Sequence, residues 1–247
     1  MRNIWTIAKR EYDYYFTSPV AYVAAFLILF VLGIFFAIDL LQFQQYSFQD
    51  LSSYLNTGRE TGILPFLFVF LIPALTMRLV SDENRTGTME LLLTAPVRDW
   101  ELILGKWAGG FLFILTVIAV TLIYPILLNR MVDPGIDWRQ LASSYLGVIL
   151  LAAAFLGLGV GISAMFVNQI AAFIVSFLTF VFLYWVVGIP ANLPITGGNV
   201  FSYLSMSNHF SDLSEGVINL SAVVYYSSLT FLGLFLGTLS IEVRRWR

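Results

Sequence analysis

The chain has 247 residues, 59% of them hydrophobic and only 11% charged, with a net charge of −2. That composition excludes an ordinary soluble surface and marks a membrane protein. The absence of cysteine excludes disulfides, thiolate metal sites and cysteine nucleophiles, and the 13 Lys and Arg residues are too dispersed to grip a nucleic-acid backbone.

Residues 2–17 open the chain as an amphipathic helix. Ile4, Trp5, Ala8, Glu11, Tyr12, Tyr15 and Phe16 fall along one helical face, with Arg2, Lys9, Arg10 and Asp13 mostly opposite. The pattern predicts a helix in the plane of the membrane interface, aromatic side towards the acyl chains and basic side towards the headgroups. A polar, aromatic start with no small-residue cleavage site predicts that it is retained rather than removed as a signal peptide. Thr17-Ser18-Pro19 ends the helix and turns the chain into the membrane.

Six apolar runs follow, at about 20–40, 61–79, 107–128, 141–166, 170–188 and 222–241. At about 1.5 Å per residue, each is long enough to cross a hydrocarbon core of about 30 Å. Only Asn168-Gln169 separates the fourth from the fifth, and the two are read as a tight hairpin. Asp39 is the only clear ionisable residue inside a span; near the outer end of the first, it is read as reaching interfacial water. Residues 41–60, rich in Gln and aromatics, suggest a short interfacial helix and a turn at Thr57-Gly58. Pro65 and Pro73 each remove a helical hydrogen bond and predict a kink in the second span.

Between the second and third runs lies a charged passage, RLVSDENRTGTMELLLTAPVRDWELILGK, from Arg78 to Lys106. Arg78, Asp82, Glu83, Arg85, Glu90, Arg98 and Asp99 require it to lie in water. Within it, Thr88 to Ala95 reads as a short helix between stops at Gly87 and Pro96, with Leu91, Leu92 and Leu93 on one side. Leucines so exposed require a cover: a partner protein, the membrane interface, or the ends of the chain's own helices.

Residues 189–221 contain no Lys or Arg. Pro190, Pro194 and Gly197-Gly198 break this region, and the stretch after them has enough apolar residues for one or two short helices dipping into the outer leaflet. His209, within it, is read as capping a short helix or meeting lipid headgroups, and with no companion His or Cys it predicts no metal site. Glycines spaced four apart, at Gly105/Gly109, Gly157/Gly161 and Gly233/Gly237, let helices approach closely in lipid, either within the bundle or against a second copy.

Placing the N-terminus inside puts Arg2, Lys9, Arg10, Arg78, Arg85, Arg98, Lys106, Arg244, Arg245 and Arg247 in inner segments and only Arg59, Arg130 and Arg139 in outer ones. The positive-inside rule therefore predicts both termini in the cytoplasm of a multi-pass protein of the cell membrane. An intramembrane serine protease built on Ser163 and His209 is disfavoured by this topology, which puts the two near opposite faces of the bilayer, whereas nucleophile and base must touch.

Glu83, then Gly87-Thr88-x-Glu90-Leu91-Leu92, then Pro96, then Gly105-Lys106 resembles the cytoplasmic signature of permease subunits of ABC-2-type transporters, particularly the gliding-motility and copper-maturation branches. By layout the resemblance covers nearly the whole chain. It implies an all-α polytopic membrane protein with the ABC-2-type permease fold: one domain over 1–247, six transmembrane helices and an N-terminal interfacial helix. It further implies that 81–98 is a coupling segment docking on a separate ABC ATPase subunit, with Glu83, Arg85, Gly87, Thr88, Glu90, Leu91, Leu92, Pro96 and Arg98 as docking residues. The region 189–221 would be a re-entrant outer gate containing Pro190, Pro194, His209 and Gly216. ATP and Mg would bind the partner subunit and no cofactor this chain, with a second copy or a related permease completing the path.

The residues agree with an external energy source. The spans carry almost no charge for a coupling ion to bind, and no G-x-x-x-x-G-K-[ST] phosphate loop is present. The expected function is thus that of a non-enzymatic permease subunit, and the resemblance implies an exporter. A non-transporting membrane anchor or scaffold for an ATPase complex is the alternative, and a secondary transporter is a further one.

Overall fold

The computed structural model describes residues 2–42, 60–87, 97–131, 136–192 and 198–245. Every regular element among them is helical. In chain order they are α1 (Arg2–Tyr15), α2 (Pro19–Gln42), α3 (Glu60–Thr76), α4 (Ser81–Thr86), α5 (Asp99–Thr121), α6 (Ile123–Met131), α7 (Trp138–Met165) and α8 (Gln169–Val181). A π-helical turn (Phe182–Val186) and a 3-10 turn (Ile189–Asn192) follow, then α9 (Gly198–Leu204), α10 (Met206–Ser214) and α11 (Leu220–Arg245). Six stretches are long and apolar enough to cross a membrane: Pro19–Ile38, Ile63–Glu83, Asp99–Arg130, Trp138–Met165, Gln169–Val186 and Leu220–Val243.

The third of these starts at Asp99, earlier than the predicted 107. Lys106 ends the charged passage just before the predicted run. In the fold that charge is buried and paired, so the helix runs through it. The second stretch runs as helix through both Pro65 and Pro73.

α7 is the central post. Its apolar window is 72% buried, against 22% for the windows on α8 and α11. Leu151, Ala152, Ala154, Phe155 and Val160 are inaccessible along it. Asp137 caps its start by accepting from the amides of Arg139 and Gln140 at 2.9 and 3.4 Å. Asn168 caps α8 in the same way, accepting from Ile170 N at 2.8 Å, so the chain breaks at 166–168 and folds back.

α11 crosses α7 with the backbones in contact. A Cβ at Gly161 would lie 2.3 Å from the carbonyl oxygen of Gly233, and one at Gly233 would lie 2.3 Å from the carbonyl carbon of Gly157. Only glycine permits that approach, and in lipid such close packing is what holds helices together. These two glycine pairs therefore serve the bundle, and within it they meet each other.

α1 departs from the flat amphipathic helix expected of it. Asn3 reaches Glu101 at 3.4 Å, Ile7 lies against Gly105 and Glu11 against Gly109. Tyr12 meets Thr116 Oγ1 at 3.1 Å, and Tyr15 stacks on Phe113 with centroids 4.9 Å apart. Numbers rise together on both helices, so α1 and α5 run parallel, side by side, for about four turns. Ala8, Glu11 and Tyr15, assigned above to the lipid-facing side, are buried, while Trp5 is 63% exposed. The reason is steric: Gly105 and Gly109 leave a shallow track on α5 that α1 fills.

At the end of the bundle away from α1, α10 packs on the first turns of α7. Gln140 Nε2 and Ser144 Oγ both donate to Ser214 O, at 3.3 and 3.1 Å, and Tyr226 donates to Met206 O at 2.8 Å. His209 does not face lipid headgroups. It is 6% exposed, its Nε2 lies 2.8 Å from Tyr203 O, and its ring lies against Tyr225 at 4.5 Å. Pro190 sits in the 3-10 turn, and Gly216 takes φ +90° beside Gln140. Pro194, and all but the edges of the predicted 41–60 interfacial stretch, lie outside the described residues.

Candidate functional site

The charged segment leaves the bundle at the end of α3, and Ser163 fixes how it leaves. The Ser163 hydroxyl accepts from Val80 N and Ser81 N at 3.3 and 3.2 Å and donates to Met77 O at 3.3 Å. It thereby supplies partners to amides that begin α4 and would otherwise be orphaned. Among the described residues the hydroxyl's hydrogen-bond partners are all backbone groups. His209 sits at the Gln140 end of α7, and Gln140 lies 23 residues from Ser163, about 35 Å along the helix.

α4 is a helix that the sequence reading did not include. Gly87 ends it in the left-handed region at φ 74°, with open space around its α-carbon. One side of α4 docks on the α7–α8 turn: Asp82 Oδ1 accepts from Gln169 Nε2 at 2.6 Å and from Arg85 Nη2 at 3.1 Å. The other side carries Glu83 inward.

There Glu83 joins a compact ionic cluster. Lys106 Nζ lies 2.8 Å from Glu83 Oε1 and 3.2 Å from Glu11 Oε1. Arg10 Nη2 lies 2.8 Å from the same Glu11 oxygen and 3.6 Å from Glu83 Oε1. Two cations thus alternate with two anions, and the quartet is formally neutral. Lys106, about two turns into α5, is 1% exposed. An ammonium stripped of water is tolerated only with such partners, since its desolvation costs several kcal/mol. Burial alone would push the Glu11 carboxyl up, but the Lys106 ammonium and the Arg10 guanidinium together hold it below the ordinary carboxylate range. The quartet joins α1, α4 and α5 through side chains that all need one another.

Of the residues expected to meet a partner, Glu83 is turned into this cluster. Arg85 is exposed beside Asp82, with 63% of its side chain accessible. Gly87 is exposed, as is Arg98 at the start of α5, where its amide donates to Glu101 Oε2 at 3.1 Å. Thr88, Glu90, Leu91, Leu92 and Pro96 lie outside the described residues. Lys106, Glu11 and Arg10 were absent from the predicted site residues. The signal for two of them was present, since an acid on the apolar face of one helix and a base within an apolar run of another are each costly alone and complementary together.

Beside the quartet opens a cleft of about 520 Å³, with Tyr14, Val20, Leu75, Arg78 and Leu79 among its lining residues. No group of three or more His, Cys, Asp or Glu able to hold a metal ion occurs among the described residues. Among the described residues the arrangement offers mechanical linkage and charge.

A family model described as ABC-2 family transporter protein matches residues 5–242. No curated protein sequence matches the chain.

Proposed function

From the premise that this chain belongs to the ABC-2 family of transporter proteins, we propose that it is the membrane-spanning permease subunit of an exporter driven by a separate ABC ATPase. ATP and Mg bind the ATPase, which docks on segment 81–98, and this chain carries out no chemistry. Both termini and the charged end of the bundle face the cytoplasm of the cell membrane, and two permease subunits, identical or related, enclose the path.

The observation that supports this reading best is the anchoring of α4. A load applied to segment 81–98 passes through Glu83 to Lys106 and thus to α5, through the shared carboxylate of Glu11 to α1, and through Gln169 and Ser163 to the α7–α8 hairpin. These are short, charged or buried contacts rather than a loose loop. Nucleotide-driven closure of the ATPase pair would therefore tilt several spans together instead of bending a tether.

The test is reconstitution with the ATPase. Leu91→Asp together with Leu92→Asp should leave membrane insertion intact and abolish ATPase copurification; retained copurification counts against docking at this segment. In liposomes the complex should move a lipid or hydrophobic solute only with ATP. Hydrolysis without movement would point to an anchor or scaffold, and movement insensitive to ATP depletion to a secondary transporter.

A further inference from the structure

The cleft beside the quartet is amphiphilic in a depth-ordered way. It lies where α2 begins, at Ser18 and Val20, and where α3 ends and the turn after it begins, from Ala74 to Leu79. The first membrane-crossing stretch starts at Pro19, and Ala74 to Leu79 lie in the second half of the stretch that ends at Glu83, so the cleft lies towards the level at which acyl chains give way to headgroups. Arg78 stands exposed on the cleft wall. Ala74 and Leu75, in the last turn of α3 before Arg78, line the apolar floor together with Val20. Tyr14, 56% exposed, lines the cleft as well.

Charge accounting singles out one cation. Glu11 and Glu83 are neutralised by Lys106 and Arg10, and Asp82 by Arg85. Among the described residues the Arg78 guanidinium makes no ion pair or hydrogen bond, which leaves it the one cation of the cleft lining without an anionic partner, above an apolar floor.

The geometry points to a binding site for a single anionic phospholipid, its phosphate on Arg78 and the upper part of one acyl chain along Ala74, Leu75 and Val20. A planar guanidinium suits a phosphate, and an apolar floor below it suits a lipid rather than a free anion. The site rests on membrane placement alone and is independent of any ATPase. Occupancy would wedge the α1–α2 junction against the end of α3, beside the anchored α4.

The experiment is native mass spectrometry of the full-length chain in detergent, titrated with phosphatidylglycerol or phosphatidylcholine of identical acyl chains. One phosphatidylglycerol per chain should be retained about five- to tenfold more tightly than phosphatidylcholine, the worth of one favourable cation–phosphate contact at a membrane surface. Arg78→Gln should remove that preference, and Arg78→Lys should keep part of it. Unchanged thermal unfolding of Arg78→Gln would show that the loss is not misfolding. Ala74→Phe, which fills the floor and spares the charge, should also weaken phosphatidylglycerol binding. Equal binding of the two lipids, retention of the preference in Arg78→Gln, or full binding by Ala74→Phe would overturn the proposal. So would displacement by glycerol phosphate at concentrations comparable to the lipid, which would reveal a site for the phosphate alone.

Discussion

Lys106 and Glu83 are 23 residues apart in the chain, and their charged atoms are 2.8 Å apart in the fold. Lys106 is 1% exposed with α4 in place, so moving α4 away would take from a buried ammonium one of its two carboxylate partners. The helix that begins the charged segment is therefore bound to the third membrane-crossing helix by the cost of stranding a buried ammonium.

Breaking this pair from one side should be worse than removing both partners. Glu83→Gln leaves Lys106 with Glu11 alone and should lower stability by about 3 kcal/mol. Adding Lys106→Met should recover much of that loss, because the Arg10–Glu11 pair survives intact. Thermal unfolding of the purified single and double variants, arranged as a double-mutant cycle, measures the coupling. Strictly additive effects would show that the two residues do not act together.

The Glu11 carboxyl is held low by Lys106 and Arg10 despite its burial, so its contribution has a defined pH window. A depressed carboxyl stabilises the fold fully above its unfolded value, about 4.3, and loses that contribution as pH falls through the lower folded value. The stability gap between the native chain and Glu11→Gln should thus be constant from pH 7 to about pH 5 and narrow in stronger acid. A gap that widens on acidification would reverse the assigned sign.

Glycines at two places should respond differently to a side chain. At Gly161 a Cβ would press on the backbone of Gly233 at 2.3 Å, and Gly161→Leu should destabilise by about 2 kcal/mol or more through overpacking. At Gly87 nothing lies within 4 Å and only the positive φ resists, so Gly87→Ala should cost about 1 kcal/mol. Chemical denaturation of the two variants in the same detergent ranks them; the reverse order would mean that α7 and α11 do not touch as described.

The absence of native cysteine permits a clean sidedness assay. Arg98→Cys and Ser211→Cys both replace exposed residues, one at each end of the bundle. A membrane-impermeant maleimide added to intact cells should label the Ser211 variant and leave the Arg98 variant unreacted until the membrane is opened. Labelling of the Arg98 variant from outside would invert the orientation on which ATPase docking depends.

Ser163→Ala should lower stability by about 1–2 kcal/mol, since Val80 N and Ser81 N lose their buried acceptor. A proteolytic activity abolished by the same substitution, with stability unchanged, would contradict the structural role assigned here.

The amino-acid sequence by itself determined that this is an all-helical membrane protein with six crossing stretches, because a bilayer admits few solutions for a chain this apolar and each is written as a long run of hydrophobic side chains. It also determined where charge interrupts those runs, and therefore where the segment resembling an ABC-2 signature lies. Only the tertiary structure decided which partner each ambiguous residue takes. Gly161 could have faced a second chain and instead meets Gly233; Glu83 finds its buried ion-pair partner in Lys106, 23 residues away; Glu11 could have pointed to headgroups and instead lies on Gly109. Hydrophobic periodicity records that a position is shielded from water, but helix packing in lipid is set by side-chain shape and by scarce polar contacts between residues distant in the chain. That information exists only once the helices are side by side.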